Sequence, residues 1–115
     1  MRTGKYVAQG AHASLGAILG LGQITHDEEH FVIPLNNDFV KAWIMGNFKK
    51  VTCYVTTDQE LYDLHDAAKS AGIACALIRD AGLTEFNGIP TLTAVGIGPD
   101  NEDLINKITG NLPLF

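Results

Sequence analysis

The stretch TDQELYDLHDAAKSAGIACALIRD, running from Thr57 to Asp80, decides the fold. Its opening, Thr57-Asp58-Gln59-Glu60, has the S/T-x-x-E form of a capping box, in which a hydroxyl and a carboxylate satisfy free N–H groups at a helix start. Leu61, Leu64, Ala67, Ala68 and Ala71 then recur at helical spacing up to Gly72, a residue suited to closing a helix. Ala74 to Ile78 follows as a nearly all-apolar run, which predicts a strand buried on both faces, as in a sheet covered by helices. A helix feeding directly into such a strand points to an α/β architecture.

Upstream, Val51 to Val55 predicts a strand from its β-branched and aromatic content. Asp38 to Asn47 predicts a short helix with Phe39, Trp43 and Ala42 on its buried stripe. Gln23 to Pro34 is irregular and polar and reads as a loop, whereas Lys5 to Leu21 spaces Val7, Ala11, Leu15, Ile18 and Leu19 as a helix. Downstream, Asn87-Gly88 supplies turn chemistry ahead of a strand from Thr91 to Ile97, and Pro99-Asp100 opens a last helix, Glu102 to Thr109, ended by Gly110. The expected class is α/β, with a small mixed β-sheet and helices on both of its faces.

At 115 residues the chain is expected to form one domain, with a core that needs neither disulfides nor a structural metal. The longest apolar run, Ala13 to Gly22, is broken by Ser14 and three glycines and is too short for a membrane span; no small-x-small cleavage site marks a signal peptide. Cys53 and Cys75 both lie in apolar runs, so they read as strand residues in a reducing, cytoplasmic setting rather than as a disulfide. The net charge of −5 argues at first against a polyanionic partner. The charge is segregated, however. Residues 1–50 hold five basic and four acidic side chains, while residues 51–115 hold three and nine. Seven of those nine acids are Asp58, Glu60, Asp63 and Asp66 on the helix of the deciding stretch and Asp100, Glu102 and Asp103 at the start of the last, so the surplus belongs to particular helices.

Several patterns compete as sites. His26-Asp27-Glu28-Glu29-His30 matches the H-x-x-E-H form of zinc proteases, which requires a regular helix; a solvated acidic loop fits this short stretch better. Gly96-Ile97-Gly98-Pro99 lacks the residues that complete a phosphate loop and reads as a strand end. Gly16 and Gly20 form a GxxxG spacing that in a water-soluble helix marks close packing. A cysteine nucleophile would need an exposed thiolate beside a base, and no serine stands in a G-x-S-x-G elbow. Two places remain. Lys5, Gln9 and His12 project from one side of the first helix within about two turns. Asp80, followed by Ala81-Gly82-Leu83-Thr84, stands at the carboxyl end of a buried strand, where α/β sheets commonly bind ligands.

These residues carry a resemblance. Gly4-Lys5-Tyr6-Val7-Ala8-Gln9-Gly10-Ala11-His12-Ala13 resembles the G-K-x-x-A-Q-x-x-H-A opening of the archaeal and eukaryotic type of peptidyl-tRNA hydrolase. Asp80-Ala81-Gly82-Leu83-Thr84 resembles its D-A-G-x-T segment. Ala94 to Pro99 and Ile108 to Leu114 resemble its G-I-G-P and I-T-G-x-L-x-L stretches, and the four blocks in order cover essentially the whole chain.

The resemblance implies an enzyme that hydrolyses the ester between a peptide and the 3′-terminal ribose of tRNA. It also implies a four-stranded mixed sheet, no metal or organic cofactor, no membrane partner, and a homodimer as one assembly state. The implied catalytic residues are Lys5, His12, Asp80 and Thr84, with Gln9, Lys5 and Thr84 binding substrate. Such an ester needs a base or orienting group for water and a donor for the developing oxyanion. Asp80 suits the first task, with Thr84 holding the water or substrate. Lys5 suits the second, and its ammonium would keep a nearby Asp80 ionised. His12 can protonate the departing ribose oxygen, and Gln9 suits positioning. The chain starts at Met1-Arg2-Thr3, almost inside the G-K motif, so the expected domain is one strand short at its N-terminus. Leu83 replaces a commonly basic or polar residue, and Gln23 to Leu35 has no counterpart in compact members. Two contrasting readings are a non-catalytic RNA- or protein-binding module on the same fold and a metal-dependent hydrolase using His26 and His30.

Overall fold

The computed structural model describes residues 1–82 and 88–115. Its elements run α1 (Thr3–Leu19), β1 (Gln23–Ile24), β2 (Phe31–Val32), α2 (Asp38–Met45), α3 (Asp58–Ser70), β3 (Cys75–Asp80), β4 (Thr91–Ile97) and α4 (Glu102–Thr109). The capping box of α3 forms: the Thr57 hydroxyl accepts from the Glu60 N–H at 3.2 Å, while the Glu60 carboxylate reaches back to the N–H and hydroxyl of Thr56. Gly72 takes a φ of 72°, the left-handed turn that ends the helix and starts the chain towards β3.

β3 and β4 form an antiparallel ladder, with Cys75 opposite Ile97 and Asp80 opposite Thr91. Side chains alternate across it. Ala76 and Ile78 meet α1 at Gly16, whereas Arg79 reaches across the other face to donate to the Tyr62 hydroxyl on α3 at 2.9 Å. The sheet is therefore covered by α1 on one face and α3 on the other, as expected. Between Ile78 and Arg79 the register shifts by one, leaving Thr93 as an extra residue of β4.

The core is built of small and medium residues: Ala13, Ala17 and Ile18 of α1, Val40 of α2, Ala68 of α3, then Ile73, Ala74 and Leu92. Their size lets the layers approach closely. A Cβ on Gly96 would run into the backbone of Ala13, and one on Gly16 would stand 3.0 Å from the Ala76 Cβ, so α1 lies almost in backbone contact with the ladder. Of the Gly16 to Gly20 spacing, Gly16 is thus a close-packing position, while a Cβ on Gly20 would stand 3.9 Å from the Cys75 carbonyl oxygen, an ordinary contact. At its start α1 has little local support: Arg2, in the N-cap position, gives no side-chain cap, and no acid stands in the first turn.

Four expectations change. The sheet expected as mixed is, among the described residues, two antiparallel two-stranded pairs, β1 with β2 and β3 with β4. Val51 to Val55 does not extend into a ladder. Cys53 makes a single bridge to Leu114, flanked by hydrogen bonds from Tyr54 N–H to Pro113 O and from Phe115 N–H to Thr52 O. Strand propensity needs a partner of equal length, and the segment opposite is three residues, one of them a proline without an N–H. Gln23 to Pro34, expected as a loop, contains the β1–β2 hairpin, whose end is tied by the Asp27 carboxylate accepting from the Thr25 hydroxyl and the Glu29 N–H. In α2, Val40 is the buried residue, while Phe39 is 47% exposed and Ala42 is exposed, so the expected stripe is rotated. The Asn87-Gly88 turn lies partly, and Leu83 wholly, outside the described residues.

Candidate active site

Lys5 is on the first turn of α1, and Asp80 is the last residue of β3. The close approach of α1 to the ladder brings them together: the Lys5 Nζ is 2.7 Å from Asp80 Oδ2, with both side chains more than four-fifths shielded from solvent. The other carboxylate oxygen, Oδ1, accepts from the N–H of Gly82 at 3.2 Å. That N–H is aimed by the left-handed backbone of Gly82, whose φ is 80°. Any Cβ at Gly82 would strike the backbone of Ile89, so glycine is required there on two counts.

The Lys5 ammonium, first, and then the Gly82 N–H hold the Asp80 carboxyl below its ordinary value, against the opposing effect of burial. Charge on Lys5 and on His12 adds to this. Asp80 is consequently an ionised carboxylate and a weak base, and the ammonium beside it is fixed in place. His12 lies two turns along α1 from Lys5 and is solvent-exposed, free to meet a bound molecule.

Gln9 stands one turn after Lys5 but is only 3% exposed. Its Oε1 accepts from the Thr93 hydroxyl at 2.6 Å, and that hydroxyl also lies 3.5 Å from the Ile78 carbonyl oxygen. Gln9 is thus a buried, hydrogen-bonded group that locks α1 to the bulge in β4, which favours positioning over direct reaction. Thr93 and the Gly82 N–H were not legible in sequence. Thr93 points at α1 only because the bulge shifts the alternation of β4, and a backbone donor leaves no mark on residue identity. Thr84 lies outside the described residues.

The competing patterns part from this centre. His26 and His30 belong to the β1–β2 hairpin end and not to a helix, and no group of three or more metal-ligating side chains occurs among the described residues. Cys53 and Cys75 are free thiols, and burial pushes the Cys75 thiol up, the opposite of what a nucleophile needs. No helix among the described residues is long and apolar enough to cross a membrane.

A paired ammonium and carboxylate, an exposed imidazole and a buried amide at the end of a strand can orient water, stabilise an oxyanion and protonate a leaving group. Residues 1–115 match the family model described as peptidyl-tRNA hydrolase PTH2. The chain is 40% identical over 115 residues to the peptidyl-tRNA hydrolase of Methanocaldococcus jannaschii, covering all of this chain and 90% of that one. It is 40% identical over 112 residues to that of Methanopyrus kandleri, covering 97% of this chain and 85% of the other. Against that of Methanothermobacter thermautotrophicus it is 40% identical over 115 residues, covering 100% and 89%.

Proposed function

The chain belongs to the peptidyl-tRNA hydrolase PTH2 family, and from that membership we propose that it hydrolyses the ester joining a peptide's carboxyl carbon to the 3′-terminal ribose of tRNA, with Lys5, His12, Asp80 and Thr84 as catalytic residues and Lys5, Gln9 and Thr84 binding substrate. The observation that carries the assignment of residues is the shielded 2.7 Å pair between Lys5 and Asp80.

In this mechanism water adds to the ester carbonyl carbon and gives up a proton to solvent, and the bond between the acyl carbon and the ribose oxygen then breaks as a proton passes to that oxygen. Asp80 orients the attacking water; its lowered pKa makes it a better acceptor of a hydrogen bond than of a proton. Lys5, held by Asp80, offers positive charge to the oxyanion that develops on the carbonyl or to a neighbouring phosphate. His12 gives the proton to the departing ribose oxygen. Thr84, four residues after Asp80, holds the water or the terminal nucleotide. Gln9 keeps the face of α1 that carries Lys5 in register with β4, and its part in substrate binding is exerted through that placement. The reaction runs without a metal ion in a cytoplasmic setting. A homodimer belongs to the same reading, supported by Val7, Leu15 and Leu19, which stand exposed along one side of α1.

Incubation of the purified protein with N-blocked aminoacyl-tRNA tests the proposal. Release of the blocked amino acid is expected, undiminished by chelator. Asp80→Ala and Lys5→Ala should each lower turnover by about a hundredfold or more, the range removed with a single transition-state donor. Near-normal turnover by both variants would overturn the residue assignment, and loss of wild-type turnover with chelator would overturn the metal-free one.

A further inference from the structure

Between Asp38 and Asp58 the chain carries no acidic residue for nineteen positions, although it holds 13 acids in all. Lys41, Lys49 and Lys50 fall in that gap, so a local charge of +3 is set in a molecule whose remaining charge is −8. Around them the side chains are organised. The rings of Trp43 and Phe48 pack against each other at a 37° tilt, with centroids 4.2 Å apart. The Trp43 indole N–H donates to the Lys49 carbonyl at 2.6 Å, which pins the lysine backbone to α2. Lys50 folds back over the rings, its Nζ 3.2 Å from the Phe48 centroid and 2.9 Å from the Phe48 carbonyl oxygen.

Phe48 is the odd member. Its φ of 57° is a left-handed conformation that a bulky side chain rarely adopts, and its ring is nonetheless 50% exposed. Burial therefore does not account for the strain, and Phe48, Lys49 and Lys50 all stand exposed at this turn. Lys49 also stands 3.4 Å from Glu102, but both side chains are mostly exposed and such a pair exchanges readily for a stronger anion.

This cluster is remote from the ester site. Asn37, which caps α2, and Val40 within it share one small cavity with Gly72, Ala74 and Pro99, at the end of the ladder where β3 begins. Asp80 is at the other end. Six residues of strand separate the two by about 17 Å. Only a substrate longer than its reacting terminus can touch both.

We propose that Trp43, Phe48, Lys49 and Lys50 form a second RNA contact, which grips the phosphate backbone of the tRNA body while its 3′ end occupies the Lys5–Asp80 site. The inference rests on the hydrolase reading. The lysines supply the charge, Lys50 resting on the Phe48 ring and Lys49 fixed through its backbone by Trp43, and the rings lend an exposed aromatic surface to the sugar edge.

The test uses the double variant Lys49→Ala/Lys50→Ala on two substrates, full-length N-blocked aminoacyl-tRNA and a short N-blocked aminoacyl oligonucleotide ending in CCA. On tRNA the variant should raise KM roughly tenfold with kcat unchanged, and should flatten the slope of log kcat/KM against log salt by about one to two units. On the short substrate its kinetics should match the wild type. Equal loss on both substrates, or none on either, would overturn the proposal. Binding of deacylated tRNA, read by fluorescence anisotropy, should weaken by a similar factor, and this arm is decisive even if neither substrate is turned over. Unchanged anisotropy would overturn the proposal and assign the cluster to a protein partner.

Discussion

At the scale of residues, the centre is an ion pair whose two halves answer different questions. Asp80 determines where the Lys5 charge sits, and Lys5 keeps Asp80 ionised. Because its folded-state pKa lies below the ordinary 3.8, Asp80 stays charged as pH falls until that lowered value is passed. Any loss of kcat/KM that Asp80 causes must therefore fall below pH 3.8, and a pH profile of the wild type checks this. The linkage to stability has the same sign. The pair's contribution is present above the unfolded carboxyl value and is lost as pH falls through the lowered one. Lys5, Gln9, His12 and Asp80 were all legible from helical spacing and a strand end, since those signals depend on residue type and interval alone. The burial of Gln9 was not, because it depends on Thr93, 84 residues away in sequence.

At the scale of elements, the site depends on how closely α1 lies on the ladder. Gly96→Ala forces a Cβ into the Ala13 backbone, which only a shift of α1 can relieve. The expected cost is about 1–3 kcal/mol of stability, measured by chemical denaturation, together with a loss of turnover larger than a distant substitution of equal cost would cause. Thr57→Ala is that distant substitution: removing the cap of α3 should cost about 1 kcal/mol and leave turnover at temperatures below the transition unchanged. The helices were read well from sequence. The start and end of α4 agree with the reading, and the capping box of α3 forms, because caps and periodicity are local. Strand pairing was read less well. Val51 to Val55 has strand composition yet makes one bridge, and the β1–β2 hairpin hides in a polar segment whose pairing comes from its turn rather than its apolar content.

At the scale of the molecule, the −5 net charge is an average over unlike regions. α3 and the start of α4 hold seven of the acids, whereas the nineteen positions after Asp38 hold none. Activity on tRNA should therefore fall with added salt even though protein and substrate bear the same sign of charge, and a salt titration of kcat/KM checks this. A flat response would show that no phosphates are held. The charge division was legible in sequence from the residue counts. The packing of Trp43 on Phe48 was not, since it follows from a left-handed backbone at a phenylalanine.

The weakly supported start of α1 gives the ion pair a further consequence. With no side-chain cap from Arg2 and no first-turn acid, the opening turn depends on contacts with the body, among them the Lys5 tether at the end of β3 and the Tyr6 ring against Phe115. Fraying of that turn and disassembly of the site are then one motion. Amide hydrogen exchange in the first turn should accelerate in Asp80→Asn while exchange beyond Ala13 stays slow. A substrate phosphate that draws the Lys5 ammonium towards itself would tug on the same turn, so the helix end is a spring whose tension reports whether the site is filled.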